Sequence, residues 1–233
     1  MEGEDLTYNV RYGFIDLGQV RIQVLKTTRT LDYLAYESKA LIQSYAGVPF
    51  VNLQATFESV IDSAVFSRRF VGKSKDGKFW EFARYRFDYD AHQAFIEVGH
   101  RDTIIEKRDT LPIEGLYNDG LSLFFFARHQ LMSGKRMNIP TLVKEEKVNT
   151  YIDFTKKRDA IEIDAVDYPI DVLEFEGTAE FVGIFGLTGD FEGWFSNDAA
   201  RVPILAKMKV IIGSITIELI EWKRAGWTPP RGG

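Results

Sequence analysis

Cysteine is absent from the 233-residue chain. Its absence excludes disulfides, thiol nucleophiles, iron–sulfur clusters and thiolate zinc sites. Histidine is scarce, and His92, His100 and His129 do not have the H-x-x-x-H spacing of a local zinc site. No G-x-S-x-G segment of a serine hydrolase occurs either. The sequence therefore predicts no catalytic residue, no metal site and no cofactor, and it favours a protein that is not an enzyme.

Long hydrophobic runs are absent as well. A helix that spans a bilayer needs about 20 apolar residues, and the longest candidate, Leu121 to Ala127, is far shorter. Positive charge is not in excess, since 29 Lys and Arg stand against 34 Asp and Glu, a formal net charge of −5. A nucleic-acid backbone requires a basic face. We therefore expect no nucleic-acid partner and no transmembrane segment.

Hydrophobic and polar residues alternate along most of the chain. A two-residue period places successive side chains on opposite faces of a strand, so each run predicts a strand with one buried face. The alternating apolar positions are Leu6, Tyr8, Val10, Tyr12 and Phe14; Val20, Ile22 and Val24; Leu53, Ala55, Phe57 and Ile61; Phe79, Ala83, Tyr85 and Phe87; Val148, Ile152 and Phe154; and Ile161, Ile163 and Ala165. The runs follow one another too closely for helical crossovers, so neighbouring strands should run antiparallel.

One segment breaks the two-residue period. Residues 118–135, NDGLSLFFFARHQLMSGK, have helical spacing, with Asp119 as a candidate N-cap and Gly134 in the left-handed position after the helix. A sheet of roughly ten or more strands twists too strongly to stay flat. The predicted fold is therefore mainly β, a curled antiparallel sheet or open β-barrel with at least one packed α-helix. We expect one domain over residues 1–233, with a mobile tail from about residue 225.

The C-terminal third contains the clearest hairpin signal. Phe191 to Phe195 predicts a strand, Ser196-Asn197-Asp198 predicts a turn, and Pro203 fits the start of the next strand. The run Val210 to Leu219 predicts a long strand with a bulge or sharp bend at Gly213.

Four residues are candidates for contact with a ligand or partner: Trp194, Asp198, Arg201 and Trp80. Asp198 and Arg201 can pair across the predicted turn, although an exposed pair contributes only about 0–1 kcal/mol. Trp80 falls on the opposite strand face from Tyr85. Aromatic residues on both faces leave two explanations open, a core on both sides of the sheet or a cavity along one face.

Acidic pairs and regularly spaced glycines have ordinary explanations in a sheet. Acids end strands and cap turns, but carboxylates that converge in one cleft would indicate a hydrolase. The acids concerned are Asp88, Asp90, Glu162, Asp164 and Asp167. The glycines are Gly183, Gly186 and Gly189, which lack the Lys and Ser or Thr of a phosphate loop and instead predict bulges or bends.

Segments along most of the chain resemble, in order, a bacterial envelope family, domain of unknown function 3108. They are GEDLTYNVRYGFIDLGQVRIQV, TFESVIDSAVFSRRF, FARYRFDYD, DGLSLFFFAR, and WFSNDAARVP followed by IIGSITIEL. The resemblance implies export to the periplasm or cell envelope by a cleaved signal peptide, which the acidic N-terminus here does not match. It also implies a sheet similar to the open barrel of periplasmic lipoprotein carriers. It implies no activity and transfers no catalytic residues.

Three classes of function stay open. The first is a non-enzymatic envelope protein that binds a lipid or other apolar ligand in a cavity of the curled sheet, which an elongated cavity lined by Phe, Tyr and Trp would favour. The second is an envelope scaffold or interaction module that binds a partner protein, which a large exposed apolar patch would favour. The third, with least support, is a carboxylate hydrolase.

Overall fold

The computed structural model describes residues 2–29, 34–48, 52–181, 189–210 and 213–233, which form fourteen strands and one helix. The strands are β1 (Asp5–Tyr12), β2 (Ile15–Arg29), β3 (Leu34–Ser44), β4 (Gln54–Asp62), β5 (Ser67–Asp76), β6 (Phe79–Asp88), β7 (Gln93–His100), β8 (Ile104–Pro112), β9 (Arg136–Val143), β10 (Glu146–Ile161), β11 (Ile170–Ala179), β12 (Gly189–Ser196), β13 (Pro203–Lys209) and β14 (Ser214–Lys223). The helix, α1, is Ser122–Gln130. Within the described ranges, no helix has the length and apolar character needed to cross a bilayer.

All fourteen strands belong to one antiparallel sheet. Its order is β8-β7-β6-β5-β4-β3-β2-β1-β14-β13-β12-β11-β10-β9. Neighbours in this order are also neighbours along the chain, except that β1 pairs with β14. The β1–β14 pair joins the two ends of the chain at the middle of the sheet, and β8 and β9 become its edges. The predicted mainly β, antiparallel fold with one packed helix is confirmed.

The sheet curls until its two edges approach each other. The turn between β9 and β10 touches the opposite end of the sheet, because the Glu145 amide donates to the Tyr85 hydroxyl at 3.4 Å and Lys147 Nζ donates to the Pro112 carbonyl at 3.2 Å. Within the described ranges, β8 and β9 are not paired by backbone hydrogen bonds. The result is an open barrel with a seam between these two strands.

The segment that leads into α1 lies in this seam. It pairs with the edge of β9, where the Asn118 amide donates to the Pro140 carbonyl at 2.9 Å and the Leu142 amide donates to the Asn118 carbonyl at 2.8 Å. It also contacts the start of β5, where the Ser67 amide donates to the Tyr117 carbonyl at 3.0 Å. The backbone groups of the seam are therefore partly satisfied by the chain itself, as buried backbone requires.

Asp119 anchors the start of the helix inside the curl. Its Oδ1 accepts from the backbone amides of Leu121 at 2.7 Å and Ser122 at 2.8 Å, and its Oδ2 accepts from the Ser59 hydroxyl on β4 at 2.6 Å. The helix begins at Ser122 with Leu121 as its N-cap, and the Leu121 side chain makes no capping bond, so the predicted N-cap at Asp119 is wrong by two residues even though its carboxylate binds the amides at the helix start. Gly134 has the predicted left-handed φ of 64°, four residues after the helix ends at Gln130. Burial raises the pKa of Asp119 above its ordinary value, against the lowering effect of these hydrogen bonds.

Phenylalanine side chains fill the curl around the helix. Phe126 of α1 belongs to a buried cluster with Phe154, Phe175 and Phe195 of the sheet. The Phe175 and Phe195 ring centroids lie 4.9 Å apart. Phe125, on the same helix, belongs to the second and larger cluster, which includes residues of β1 to β7, β9 and β11 to β14. The interior of the barrel is therefore occupied mainly by side chains and by α1.

The alternating run Ile161 to Ala165 is not a strand, contrary to the sequence-based expectation. Strand β10 ends at Ile161, and the chain then leaves the sheet. Ile163 is nevertheless buried in the large core cluster, and the Asp164 amide donates to Glu218 on β14 at 3.0 Å. An apolar alternation in a connection that packs on a sheet therefore imitates a strand.

The predicted strand from Val210 to Leu219, broken at Gly213-Ser214, is right from Ser214 onward and has its sharp bend at Gly213. Val210 is not in a strand, and residues 211–212 lie outside the described ranges. β13 ends at Lys209 and β14 begins at Ser214, and the two pair as a hairpin. Gly213 has a φ of 82°, which the turn requires and which a residue with a Cβ rarely adopts. The expected bulges at Gly183 and Gly186 lie outside the described residues, and Gly189 begins β12 with a φ of 75°.

The C-terminal residues return to the sheet. The Asp171 amide donates to the Pro230 carbonyl at 2.9 Å, and the Gly232 amide donates to the Pro169 carbonyl at 2.8 Å. The tail that the sequence led us to expect to be mobile from about residue 225 thus lies against the start of β11. The proline and glycine content of the tail predicts turns. It gives no information about the contacts with Pro169 and Asp171 that hold the tail against the sheet.

Phe154 provides a test of the packed interior. It is fully buried, so Phe154→Ala should lower the free energy of unfolding by about 3–5 kcal/mol, through lost apolar burial and the cavity left behind. Phe14 is 94% exposed, and Phe14→Ala should change the same quantity by less than about 0.5 kcal/mol. Urea unfolding followed by circular dichroism measures both, and equal losses in the two variants would contradict the enclosed core.

Candidate functional site

A cavity of about 220 Å³ lies beside the last turn of α1. Strands β2, β3 and β4 contribute to its wall, together with the turn between β12 and β13 and the residue that follows β14. The apolar side chains that line it are Val24, Ile61, Val65, Phe125, Ala199 and Ala200. Its aromatic lining includes Tyr36 and Phe125 but no tryptophan, so it only partly matches the Phe-, Tyr- and Trp-lined cavity that would favour lipid binding. The space is compact and mostly apolar.

Arg128, on the cavity wall, takes part in a buried ion cluster. Its guanidinium binds the Glu4 carboxylate through two hydrogen bonds of 2.5 and 2.9 Å, and Glu4 and Arg128 are only 3% and 4% exposed. Arg128 also donates to the Ala200 carbonyl at 2.7 and 3.0 Å. Arg224 forms a second ion pair with Glu4. The cluster therefore joins the residue before β1, α1, the β12–β13 turn and the residue after β14 beside the cavity.

The electrostatics of Glu4 follow from its partners. Burial raises the pKa of Glu4, but hydrogen bonds and positive charge from Arg128 and Arg224 more than offset burial, so the pKa lies below its ordinary value. Glu4 is consequently ionised at neutral pH. An ionised Glu4 is what allows the Arg128 guanidinium to remain buried.

Asp198 organises the turn between β12 and β13. Its Oδ1 accepts from the Ser196 hydroxyl and from the amides of Ala200 and Arg201, each at 2.9 Å. Its Oδ2 accepts from the Trp227 indole N–H at 2.7 Å. The sequence predicted the turn correctly, but the second partner of Asp198 is a tryptophan from the tail.

Arg201 points away from the carboxylate that the sequence suggested as its partner. Its Nη1 donates to the His129 carbonyl in the last turn of α1 at 2.9 Å, and both Arg201 and His129 line the cavity. The hydrogen bond that Arg201 makes with Asp198 in the described part of the chain comes from its backbone amide. Asp198 therefore positions the Arg201 backbone, and the side chain is directed to the helix end.

The two candidate tryptophans lie in different surroundings, and neither lines the cavity beside α1. Trp194 is buried in the large core cluster, with Lys207 Nζ 5.2 Å from its ring centroid. Its indole N–H has no hydrogen-bond partner among the described residues. Trp80 is 37% exposed and lines a shallow, polar groove with Lys39, Glu58 and Lys73. Of the four candidates, the structure places only Asp198 and Arg201 at one site.

The acids that could indicate a hydrolase have separate partners. Asp88 accepts from the Ala91 amide at 3.0 Å, in the turn after β6, and Asp164 lies 3.3 Å from Arg11. Asp90 and Glu162 are exposed. No group of three or more His, Asp or Glu side chains suited to a metal ion occurs within the described ranges.

Sequence reasoning missed Glu4, Arg128 and Arg224 as parts of the site. Glu4 and Arg128 are 124 residues apart, so no local spacing relates them. One signal was present, because Leu121, Phe125 and Arg128 share a helical face by their spacing. A cation on an apolar helix face predicts a buried acidic partner, although it does not say which one.

The model of the family described as Protein of unknown function (DUF3108) matches residues 7–220. The chain belongs to the DUF3108 family. None of the curated proteins matches this family member. A crystal structure of the beta-barrel-like protein of domain of unknown function DUF1849 from Brucella abortus is similar to it, with a TM-score of 0.58 and 12% identity over 96% of this chain and 98% of that chain. At this identity the likeness concerns the fold.

Glu4→Gln tests the buried ion cluster. The variant leaves Arg128 without its full charge partner, so at pH 7 the free energy of unfolding should fall by about 3 kcal/mol. The pKa of Glu4 is lowered in the folded state, so its contribution is present above the unfolded pKa of about 4.3 and is lost as the pH falls below that value. The difference between wild type and variant should therefore narrow towards pH 3.

Urea unfolding at pH 7 and at pH 3.5 provides the measurement for this cluster. Glu81 is exposed, and Glu81→Gln should change the free energy of unfolding by less than about 0.5 kcal/mol at both values. A wild type and a Glu4→Gln variant whose difference is independent of pH would show that Glu4 is not the ionised partner of Arg128.

A double-mutant cycle tests the bond between Asp198 and Trp227. Asp198→Asn and Trp227→Phe each weaken or remove it, so the two changes should couple by about 1 kcal/mol in the free energy of unfolding. The cycle of Asp198→Asn with Trp80→Phe, on the distant polar groove, should be additive within about 0.5 kcal/mol. Additivity in both cycles would mean that the tail does not depend on Asp198.

Proposed function

We propose that this DUF3108 protein is a non-enzymatic protein of the bacterial cell envelope that binds a small apolar ligand, such as one acyl chain, in the cavity beside α1. The observation that carries the proposal is the cavity itself. It has apolar walls that include Val24, Ile61, Val65 and Phe125, and it lies next to the two large buried clusters of the barrel. Apolar concavities with a few polar groups are where small ligands bind.

The size of the cavity limits the ligand. Its 220 Å³ is below the roughly 300–1,000 Å³ of pockets for drug-sized molecules. A single short chain, or the end of a longer one, fits this space better than a complete two-chain lipid. The ligand class proposed here is therefore narrower than the lipids in general that the sequence suggested.

Ala199→Trp provides the test for ligand binding. Ala199 is exposed and lines the cavity, so an indole there should obstruct entry and lower the affinity for 1-octanol or octanoate at least about tenfold, since the ligand loses its apolar contacts. The matched control is Ala91→Trp, in the exposed turn after β6, which should bind as the wild type does. Isothermal titration calorimetry measures each affinity.

Native mass spectrometry of protein purified without detergent adds a second measurement. The wild type should carry a small amphiphile that the Ala199→Trp variant has lost. If Ala199→Trp binds the probes as well as the wild type, or if the wild type binds none of them, the cavity is not a ligand site.

The cellular location is a separate part of the proposal. It is supported by family membership together with the envelope location that the resemblance implies. Fractionation of bacteria that express the natural gene from its own promoter measures it, with periplasmic and cytoplasmic marker proteins as controls. Recovery with the cytoplasmic marker alone would contradict the envelope location and leave ligand binding unaffected.

An interaction module is the second candidate function, favoured by the β1–β2 turn, where Phe14 is 94% and Ile15 44% exposed. Strand addition at a sheet edge has less support, since β8 carries the charged residues Glu106 to Asp109 and the seam segment occupies part of β9. A photo-crosslinking amino acid at position 14 in living cells should capture one specific protein if this candidate is correct. The same group at exposed position 81 should not, and the absence of a product specific to position 14 would remove the candidate.

A further inference from the structure

We infer that the cavity selects ligands with an anionic headgroup, a carboxylate or a phosphate, and that Arg201 and Arg224 bind this headgroup at the solvent-accessible side of the cavity. The inference rests on the proposed function, because it names the ligand class for the same cavity. It adds a chemical specificity that apolar walls alone do not provide.

Positive charge exceeds negative charge around the cavity. The ionised groups on its wall or directly bonded to it are the guanidiniums of Arg68, Arg128, Arg201 and Arg224 and the carboxylates of Glu4, Asp62 and Asp198, four positive charges against three negative ones. Asp198 is engaged by two backbone amides, the Ser196 hydroxyl and the Trp227 indole. Asp62 is paired with Arg68 at 2.9 Å and accepts from two backbone amides, so its charge is already engaged. Glu4 is shared between Arg128 and Arg224. The partial negative charge of about −0.5 at the end of α1 offsets only part of the excess.

The cations differ in how many of their donors are engaged. A guanidinium has five N–H donors. Arg128 uses its Nε, Nη1 and Nη2 on Glu4 and Ala200. Arg201 makes one side-chain hydrogen bond, to the His129 carbonyl, and Arg224 makes one, to Glu4, within the part of the chain that the structure describes. Arg128 therefore completes the wall, while Arg201 and Arg224 retain donors for a ligand.

Solvent exposure also distinguishes Arg128 from Arg201 and Arg224. Arg128 is 4% exposed, whereas the Arg224 side chain is 22% exposed and Arg201 is half-buried. A headgroup that enters from solvent meets Arg201 and Arg224 before it could reach Arg128. The apolar side chains Val24, Ile61 and Phe125 are then available to the chain that follows the headgroup.

The backbone of Arg201 has a left-handed conformation, which glycine and asparagine adopt more readily than arginine does. Its φ is 48°, in the left-handed region where a residue with a Cβ is uncommon. The Asp198 carboxylate holds this conformation by accepting from the Arg201 amide at 2.9 Å. Glycine or asparagine would adopt it at lower cost. Arginine at this position instead places a planar, always-charged fork at the cavity, a group suited to carboxylate and phosphate.

Four probes with the same eight-carbon chain test the inference: octanoate, octyl phosphate, 1-octanol and octyltrimethylammonium. Calorimetry should show that the wild type binds one or both anions at least about tenfold more tightly than 1-octanol, as charge-assisted hydrogen bonds to arginine imply. Octyltrimethylammonium should bind more weakly than 1-octanol. The order of octanoate and octyl phosphate identifies the carboxylate or the phosphate as the natural headgroup chemistry.

Arg201→Gln and Arg224→Gln locate the headgroup. Each should reduce anion affinity at least about tenfold while 1-octanol binds as in the wild type, because glutamine keeps hydrogen bonding but loses the charge. Arg108→Gln, an exposed change on β8, should leave all affinities unchanged. Since Arg224 pairs with buried Glu4, thermal unfolding of its variant verifies that it is folded, and Arg201→Gln provides the test that does not disturb the ion cluster.

The outcomes separate this inference from the proposed function. Equal affinity for 1-octanol and both anions overturns the inference while the apolar site stands, and so does an anion preference that survives in both arginine variants. Failure of all four probes overturns the inference and the proposed function together. Raising the salt concentration from 0.05 to 0.5 M should weaken the anions and not 1-octanol, because salt screens only the charged contact.

Discussion

The buried pair of Glu4 and Arg128 is the interaction on which the arrangement of the site depends. Both side chains are almost completely excluded from water, and a buried guanidinium without its carboxylate is strongly unfavourable. The pair can form only if the start of β1 meets α1, and Arg224 joins it only if the end of β14 arrives at the same place. One electrostatic requirement therefore brings together the two ends of the chain and the helix in its middle.

The curl of the sheet makes this meeting possible. Fourteen twisted antiparallel strands cannot lie flat, and the pairing of β1 with β14 places the two chain ends at the centre of the sheet. The seam between β8 and β9 admits the segment that carries Asn118 and Asp119, and α1 enters the curl there. The helix then fills the interior that the curl encloses. This sheet therefore differs from a lipocalin barrel, whose interior is left open for a ligand.

The cavity is the part of the interior that α1 does not fill. It lies beside the last turn of the helix, and Arg201 reaches that turn from the β12–β13 hairpin to bind the His129 carbonyl. The residues that define the cavity therefore also fix the helix end, so stability and any binding function are coupled here. Because Asp198 holds both Arg201 and Trp227, the hairpin and the tail are coupled as well.

The sequence alone determined the class of fold and much of its local structure. Two-residue alternation predicts strands wherever one face is buried, and helical spacing within residues 118–135 predicts the helix, because both signals depend on neighbouring residues. The predicted cap, Asp119, lies two residues before the observed N-cap. The alternation rule was wrong at Ile163, which lies in a connection that packs on the sheet. Alternation reports which side chains are buried, and a buried side chain need not belong to a strand. The tertiary structure alone decided that Arg128 pairs with Glu4, that Asp198 accepts from Trp227 and that Arg201 donates to the His129 carbonyl. These contacts join residues 124, 29 and 72 positions apart, and only the closure of the sheet brings them within hydrogen-bonding distance.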